Sequence, residues 1–420
     1  MQLDRLREAT LEEVARHLAG VVQRDDFKIS EICDVLLKKA VLAHASDLHL
    51  EPCGSGTRVR YRIDGVFHDA AVLPLALHDQ LVSRIKVLAD LLSHRREIVQ
   101  EGRVSLEIGG TKTDLRLSVV PTVAGEKVVA RIFAASQASF QLEALGYDEA
   151  MQRRVRAIVL DLEGLFLLTG PSGSGKTTTL YTILHEIRRE LDAYASIITI
   201  EDPVEFEFGL WSQMQVNRQA SLDFAAGLRA ALRQDPEVIM VGEIRDGETA
   251  EVALRAGLTG HLVISTLHSG SAPETVTRLV NMDLEPFVVA SALTATIAQR
   301  LVRRLCQACK DEVTLDPAKQ GLIRRLWRGA EGAELRAYRG RGCEACQFTG
   351  YAGRLPVAEL LEVDEDLRGL ILEKARTSTI RRVLVDRGWR SILDDGLAKA
   401  AAGLTTFEEI LRNVSLREVM

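Results

Sequence analysis

Apolar residues recur at helical spacing through the first 30 positions, at Leu3, Leu6, Val14, Leu18 and Val21, with charges between them. That spacing lines one face of a helix, which reads as a packed surface helix or as an arm that docks a partner. From about 31 to 135 the period changes. A helix over Ile32–Ala45 leads into Asp47–Pro52, and Thr57–Phe67 then alternates apolar and polar around Asp64-Gly65, a hairpin signature. A helix follows over His78–Leu91, then strands near Arg103–Ile108, Lys112–Val119 and Lys127–Phe133. These elements predict a small α+β domain. The small, polar stretch Ala134–Ser139 reads as a linker.

Between about 145 and 300, helical patterns alternate with short apolar, β-branched runs at 165–169, 196–200, 238–242 and 262–266. Helices between strands imply a mostly parallel sheet covered on both faces. Phe287–Gln299 has no charge and reads as a buried helix. Two cysteine pairs follow, and then a helical tail. The expected organisation is an N-terminal helical arm (1–30), a small α+β domain (31–135), a linker (136–144), an α/β core (145–302), a cysteine-bearing subdomain (303–350) and a helical C-terminal region (351–420).

Composition narrows the class. A chain of 420 residues is too long for one ordinary core, and 46% apolar with 27% charged residues is the balance of a soluble globular protein. A net charge of −6 and 5% aromatics argue against a dedicated nucleic-acid binder, so no nucleic-acid partner is expected. The N-terminus carries charge where a signal peptide needs an apolar core. No run approaches the roughly 18 apolar residues of a membrane span. A cytoplasmic protein is expected, in a compartment where disulfides are rare.

The most specific chemistry is Gly170-Pro171-Ser172-Gly173-Ser174-Gly175-Lys176-Thr177, a complete G-x-x-x-x-G-K-[ST] loop between an apolar run and a helical pattern that opens with Thr178. Glycines let backbone N–H groups wrap a polyphosphate, and the helix N-terminus favours negative charge. Lys176 would reach the β/γ-phosphates and the Thr177 hydroxyl would ligate Mg²⁺. ATP or GTP binding follows. Three polar clusters fall at predicted strand ends, where parallel sheets hold their ligands. They are Glu201-Asp202-Pro203-Val204-Glu205, then Glu243 after Val238–Gly242, then His261 through His268. The plain reading of each acidic cluster alone is a helix cap, and of each histidine a satisfied structural group. His261 and His268 are seven apart, so on one continuous strand they would face opposite sides. At least one therefore lies at a bend or does a different job.

Taken in order, these motifs resemble the secretion ATPase superfamily, and more narrowly the ATPases of type II secretion and type IV pilus assembly. Ser46–Pro52 and Arg60–Gly65 share the resemblance, which runs from about Ala45 to the C-terminus. It implies an α/β fold: a RecA-like P-loop NTPase core preceded by a small α+β, PAS-like domain. It makes 199–205 an Asp box, 238–246 an atypical Walker B and 261–268 a His box. In that frame Glu205 helps set the Mg²⁺ and water environment, Glu243 is the catalytic carboxylate, and His268 contacts the γ-phosphate side. Glu201, Asp202 and His261 join the nucleotide surroundings. Arg116 and Arg131 match N-domain arginines that reach toward nucleotide, and Arg229 and Arg233 match a further pair. The resemblance also implies a homo-oligomer, a hexamer, driven by ATP and attached at the inner membrane to platform and docking proteins. Larger members carry a longer N-terminal extension for docking, whereas here only about 30 to 45 residues precede the shared region.

Cys306-x2-Cys309 and Cys343-x2-Cys346 form two knuckles separated by 33 residues. Four thiolates suit tetrahedral Zn²⁺ in a closed structural site, the rival being a redox pair. The resemblance places such an insert in the assembly and secretion branch and not in the retraction branch. Cys33 and Cys53 read as buried small hydrophobes. From Arg300 to Arg341 eleven Lys/Arg stand against five Asp/Glu. The plain reading is a solvated face, and the alternative is a surface for anionic lipid. The rival readings are a RecA-like nucleic-acid motor, a pilus-retraction-type ATPase and a nucleotide-gated scaffold that barely hydrolyses.

Overall fold

A computed structural model describes residues 3–133, 140–191, 195–327, 329 and 335–414. The chain divides into two compact units, Met1–Ala138 and Ser139–Met420. The stretch 134–139 that reads as a linker lies outside the described residues, and so do the first four residues of the expected linker at 136–144.

The first unit opens with helices Leu3–Glu8 and Leu11–Val22. Thr10 caps the second, accepting from the Glu13 N–H while Glu13 reaches back to the Thr10 N–H. The apolar stripe seen in the sequence is real, but it is not a free arm. Leu6, Val14, Leu18 and Val21 are buried in the same core as the strands. Lys39, itself fully buried, donates to the Leu6 and Ala9 carbonyls at 3.2 and 2.6 Å, tying the segment down. Helix Ile29–Leu42 then precedes β1 (Ala45–Cys53), β2 (Gly56–Ile63) and β3 (Val66–Leu73). Helix His78–Leu88 separates these from β4 (Gln100–Ile108), β5 (Thr111–Thr122) and β6 (Gly125–Phe133). Two antiparallel meanders join through β1 and β6, giving the order β3-β2-β1-β6-β5-β4. The Asp64-Gly65 turn has φ of 48° and 81°, the two positive values of a type I′ hairpin. Alternation sends Leu48, Leu50, Val59, Tyr61, Leu115 and Leu117 into the core.

In the second unit the strands are β7 (Gly164–Thr169), β8 (Ile197–Glu201), β9 (Ser212–Gln215), β10 (Val238–Val241), β11 (Leu262–Leu267) and β12 (Leu293–Leu305). After them come a small ribbon, β13 (Lys310–Val313) with β14 (Ala337–Gly340), and β15 (Tyr351–Glu362). The main sheet runs β15-β12-β7-β11-β10-β8-β9, parallel throughout except for β15 against β12. Central strands are buried on both faces, which explains their unbroken apolar runs. Leu165 and Leu167 enter one core while Phe166 and Leu168 enter the other.

Two expectations are corrected. Phe287–Gln299 is not one buried helix: Pro286–Ala292 is helical, and from Leu293 the chain becomes β12. A short apolar run buried on both faces has no period to distinguish strand from helix. The C-terminal region is not wholly helical either, because Tyr351–Glu362 is β15. Pro356 is tolerated there because β15 is a sheet edge.

Glu359 on β15 has an unusual place. Its carboxylate accepts from the Ala272 N–H at 2.7 Å and the Ile392 N–H at 2.8 Å, the first residues of helices Ala272–Val280 and Ile392–Ala401. One side chain thus satisfies two helix N-termini. Burial nevertheless pushes its carboxyl up to about 7, against those N–H groups and the nearby Arg381 and Arg300. A raised carboxyl binds its proton more tightly folded than unfolded, so its stabilising contribution is complete below about pH 4.5 and is lost as pH climbs through about 7. The loss amounts to about 3 kcal/mol. The thermal midpoint of Glu359→Gln, measured relative to wild type, is therefore expected to rise between pH 5 and pH 8. An unchanging difference across that range would remove Glu359 as the titrating group.

Candidate nucleotide site and tetracysteine cluster

Strand β7 ends at Thr169, the chain turns through 170–175, and helix Lys176–Leu191 begins. Gly170 has φ of +148°, and a Cβ there would lie 2.4 Å from the Gln299 carbonyl oxygen, so the loop packs too close for any side chain. Lys176 folds back over the loop, donating from Nζ to the Gly170 and Pro171 carbonyls at 2.7 and 3.1 Å. Burial pushes its ammonium down to about 8, opposed by Glu243 and assisted by Arg300. Thr177 and Thr178 are exposed in the first helical turn.

Because β7, β11 and β10 are parallel neighbours, their carboxyl ends open on one edge. Glu243 leaves β10 there and forms an ion pair with Arg245, while His268 Nε2 leaves β11 and lies 3.7 Å from the Glu243 carboxylate. The Arg245 hydrogen bond, opposed by burial, holds the Glu243 carboxyl below the usual range. The loop that follows is locked to the phosphate loop. Thr169 Oγ1 lies 2.9 Å from the Leu267 carbonyl and accepts from the Ser269 N–H at 2.8 Å. Lys176, Glu243 and His268 therefore share one edge.

Other candidates stand elsewhere. His261 precedes β11, with Nδ1 3.2 Å from the Ala256 carbonyl and 3.2 Å from Thr259 Oγ1, so it lies at the opposite end of that strand from His268. The seven-residue spacing separates ends rather than faces. Glu201 is buried under Tyr181, Thr199 and Gln213, which all donate to it, and acts as a brace from helix to edge strand. Asp202 faces Arg218 at 3.5 Å. Glu205, half-buried in the following loop, lies beside Tyr181. Arg229 pairs with Glu248 at 2.9 Å, and Arg233 is exposed just beyond its helix. Within the first unit, Arg116 and Arg131 are cross-strand partners. They pair with Glu101 at 3.0 Å and Asp47 at 3.1 Å, respectively. Sequence reasoning gave no role to Arg245, whose charge sets the state of Glu243. Its place two residues after Glu243 was the available signal.

The four cysteines converge. Cys306, Cys309, Cys343 and Cys346 hold their Sγ atoms within 4.8 Å of one another, and three pairs stand at 3.8 Å. A tetrahedron with metal–sulfur bonds of about 2.3 Å has edges of about 3.8 Å. A disulfide would need sulfurs at about 2.05 Å, and all four are free. The Cys343 and Gly350 N–H groups each donate to Cys346 Sγ at 3.2 Å, which supports a thiolate ligand. These residues can hold one metal ion.

The family profile for "Type II/IV secretion system protein" matches residues 22–412. The chain belongs to that family. It is 43% identical over 391 residues to type II secretion system protein E of Pseudomonas aeruginosa, covering 93% of this chain and 76% of the relative. It is 41% identical over 415 residues to the type IV pilus assembly ATPase PilB of Thermus thermophilus, covering 96% of this chain but 46% of that relative. The chain thus spans about half the length of one such relative and about three quarters of the other. Among solved structures, the Legionella pneumophila ATPase DotB aligns at TM-score 0.67 and 23% identity over 92% of this chain and 96% of DotB, a likeness of fold. The pilus retraction motor PilT, solved with bound ADP, aligns at TM-score 0.57 and 26% identity over 92% of this chain and 97% of PilT. Family membership implies ATP and Mg²⁺. The α/β architecture expected from the motifs stands.

The depressed Lys176 ammonium sets a pH dependence. Below about pH 8 the free protein already carries the charge that a polyphosphate needs. Above it, binding must take up a proton, and affinity should fall by about tenfold per pH unit until the bound lysine also titrates. Calorimetry of ADP binding in two buffers of different ionisation enthalpy is expected to show proton uptake at pH 9 and little at pH 7. Equal uptake at both would mean that Lys176 is not the group.

Proposed function

We propose that this chain is an ATP hydrolase that drives assembly of a pilus or pseudopilus, working as a homo-oligomer, a hexamer, on the cytoplasmic side of the inner membrane with platform and docking proteins. The observation that carries the enzymatic part is the convergence of Lys176, Glu243 and His268 at the carboxyl edge of three parallel strands. Lys176 would neutralise the β/γ-phosphates, Thr177 would hold Mg²⁺, and Glu243 would orient the attacking water. His268, beside Glu243, would meet the γ-phosphate side. Arg116, Arg131, Arg229 and Arg233 are proposed to supply positive charge to the site from other parts of the assembly, with Glu205 shaping the Mg²⁺ environment. Among the described residues no helix is long and apolar enough to cross a membrane, so attachment is proposed through partners. Contact with anionic lipid through the basic 300–341 stretch belongs to the same proposal, on the excess of Lys/Arg in its sequence.

Assembly is favoured over retraction by the tetracysteine cluster, which we assign to Zn²⁺ on its tetrahedral spacing. The relatives named for assembly and secretion match over most of this chain.

Steady-state ATPase activity against protein concentration tests the motor reading. The rate per subunit should rise as oligomers form, and Glu243→Gln should lower turnover by roughly 10²–10⁴-fold while keeping nucleotide binding. Stimulation by single-stranded DNA alone would instead favour a nucleic-acid motor. For the metal, elemental analysis should find zinc bound to wild type. Cys343→Ser should lose it together with part of the thermal stability, and a metal-free wild type of unchanged stability would refute the assignment.

A further inference from the structure

Gln299 lies on β12 one residue past the point where β7 ends, since Ala298 pairs with Thr169. Strand β12 therefore continues alongside the phosphate loop and forms its floor. The side chain is fully buried, and every polar atom of it is committed. Its Nε2 donates to the Ser174 carbonyl at 2.8 Å, and its Oε1 accepts from the Tyr147 hydroxyl and from Thr179 Oγ1, the latter at 3.2 Å. A carbonyl can only accept, so the amide has one workable orientation.

We propose that Gln299 is a positioning residue for nucleotide binding, holding the Ser174–Gly175 peptide in the orientation the phosphates require. In a trans peptide the C=O and N–H point opposite ways. Pinning the Ser174 carbonyl onto β12 turns the Gly175 N–H away from β12, toward the concave side of the loop. The same amide grips Thr179, one turn into the helix that starts at Lys176, so loop and helix N-terminus move as one piece. Arg300, the next residue, donates to the Gln299 carbonyl at 3.0 Å and to the Gly270 carbonyl at 2.8 Å. Adjacent residues of one strand thus hold the loop bearing Lys176 and the loop after His268. Without the Gln299 amide, the Ser174 carbonyl would be left without its donor and free to rotate.

The inference rests on the phosphate loop being the nucleotide site, and a wild-type thermal shift on adding Mg·ADP tests that separately. Three variants of the full chain test Gln299 itself. Gln299→Met removes donor and acceptor at similar size. Gln299→Glu keeps the acceptor and regains a donor only when protonated. Tyr147→Phe removes one hydroxyl from the amide oxygen and leaves the Ser174 contact. Fluorescence titration with a labelled ADP should show Gln299→Met weakened about tenfold, the scale of one buried hydrogen bond, with Tyr147→Phe within about twofold of wild type. Gln299→Glu should approach wild type at pH 6 and weaken at pH 8, an opposite course to any loss of folding in acid. In turnover, the Gln299 variants should raise the KM for ATP more than they lower kcat. Wild-type affinity in Gln299→Met, or equal losses in Gln299→Met and Tyr147→Phe that follow their nucleotide-free melting points, would overturn the proposal. If Gln299→Met does not fold, the pH course of Gln299→Glu decides alone.

Discussion

The parallel pairing of β7 with β11 on one side and β12 on the other is the constraint on which the site depends. It sends the loops after β7 and β11 out of the same edge, and β10 adds Glu243 there. The register is enforced by burial on both faces. A one-residue slip of β7 would exchange Leu165 and Leu167 with Phe166 and Leu168 between two differently shaped cores. The Thr169 hydroxyl then joins the two loops directly through Leu267 and Ser269.

Strand β12 extends this constraint beyond the nucleotide. It is 13 residues long and runs from the end of a helix to the doorstep of Cys306. Gln299 and Arg300 brace the loops that follow β7 and β11, and Arg303 pairs with Glu409 of the C-terminal helices at 2.7 Å. Gln299 and Cys306 are seven residues apart, roughly 23 Å along a strand. The cysteine cluster therefore anchors the far end of the element that floors the phosphate loop. Its antiparallel neighbour β15 contributes Glu359, which ties the helix after the His268 loop to the helix at Ile392.

Charge at the site is balanced by a few close groups. Arg245 and His268 keep Glu243 ionised in a partly buried place, and Glu243 in turn favours the charged form of Lys176 against its own burial. Backbone carbonyls of the loop, those of Gly170 and Pro171, take the ammonium's hydrogen bonds.

Legibility in the sequence followed the range of the physics. The phosphate loop, the Asp64-Gly65 hairpin, the apolar parallel strands and the paired cysteines are set by dihedral preference and spacing over a few residues, and all are found where the sequence placed them. The strand character of Leu293–Leu305 and of Tyr351–Glu362 was not legible, because burial on both faces erases periodicity in the first, and Pro356 and Glu359 mask it in the second. The histidine spacing could not say which of His261 and His268 meets Glu243, since that depends on strand direction within the assembled sheet. Glu201 reads as a site carboxylate in the sequence, and only the assembled sheet brings Tyr181 and Gln213 to donate to it. Gln299 gave no signal at all, its partner Ser174 being 125 positions away. Local geometry is written in neighbouring residues, whereas which side chains meet across a sheet is decided only when strand order brings distant segments together.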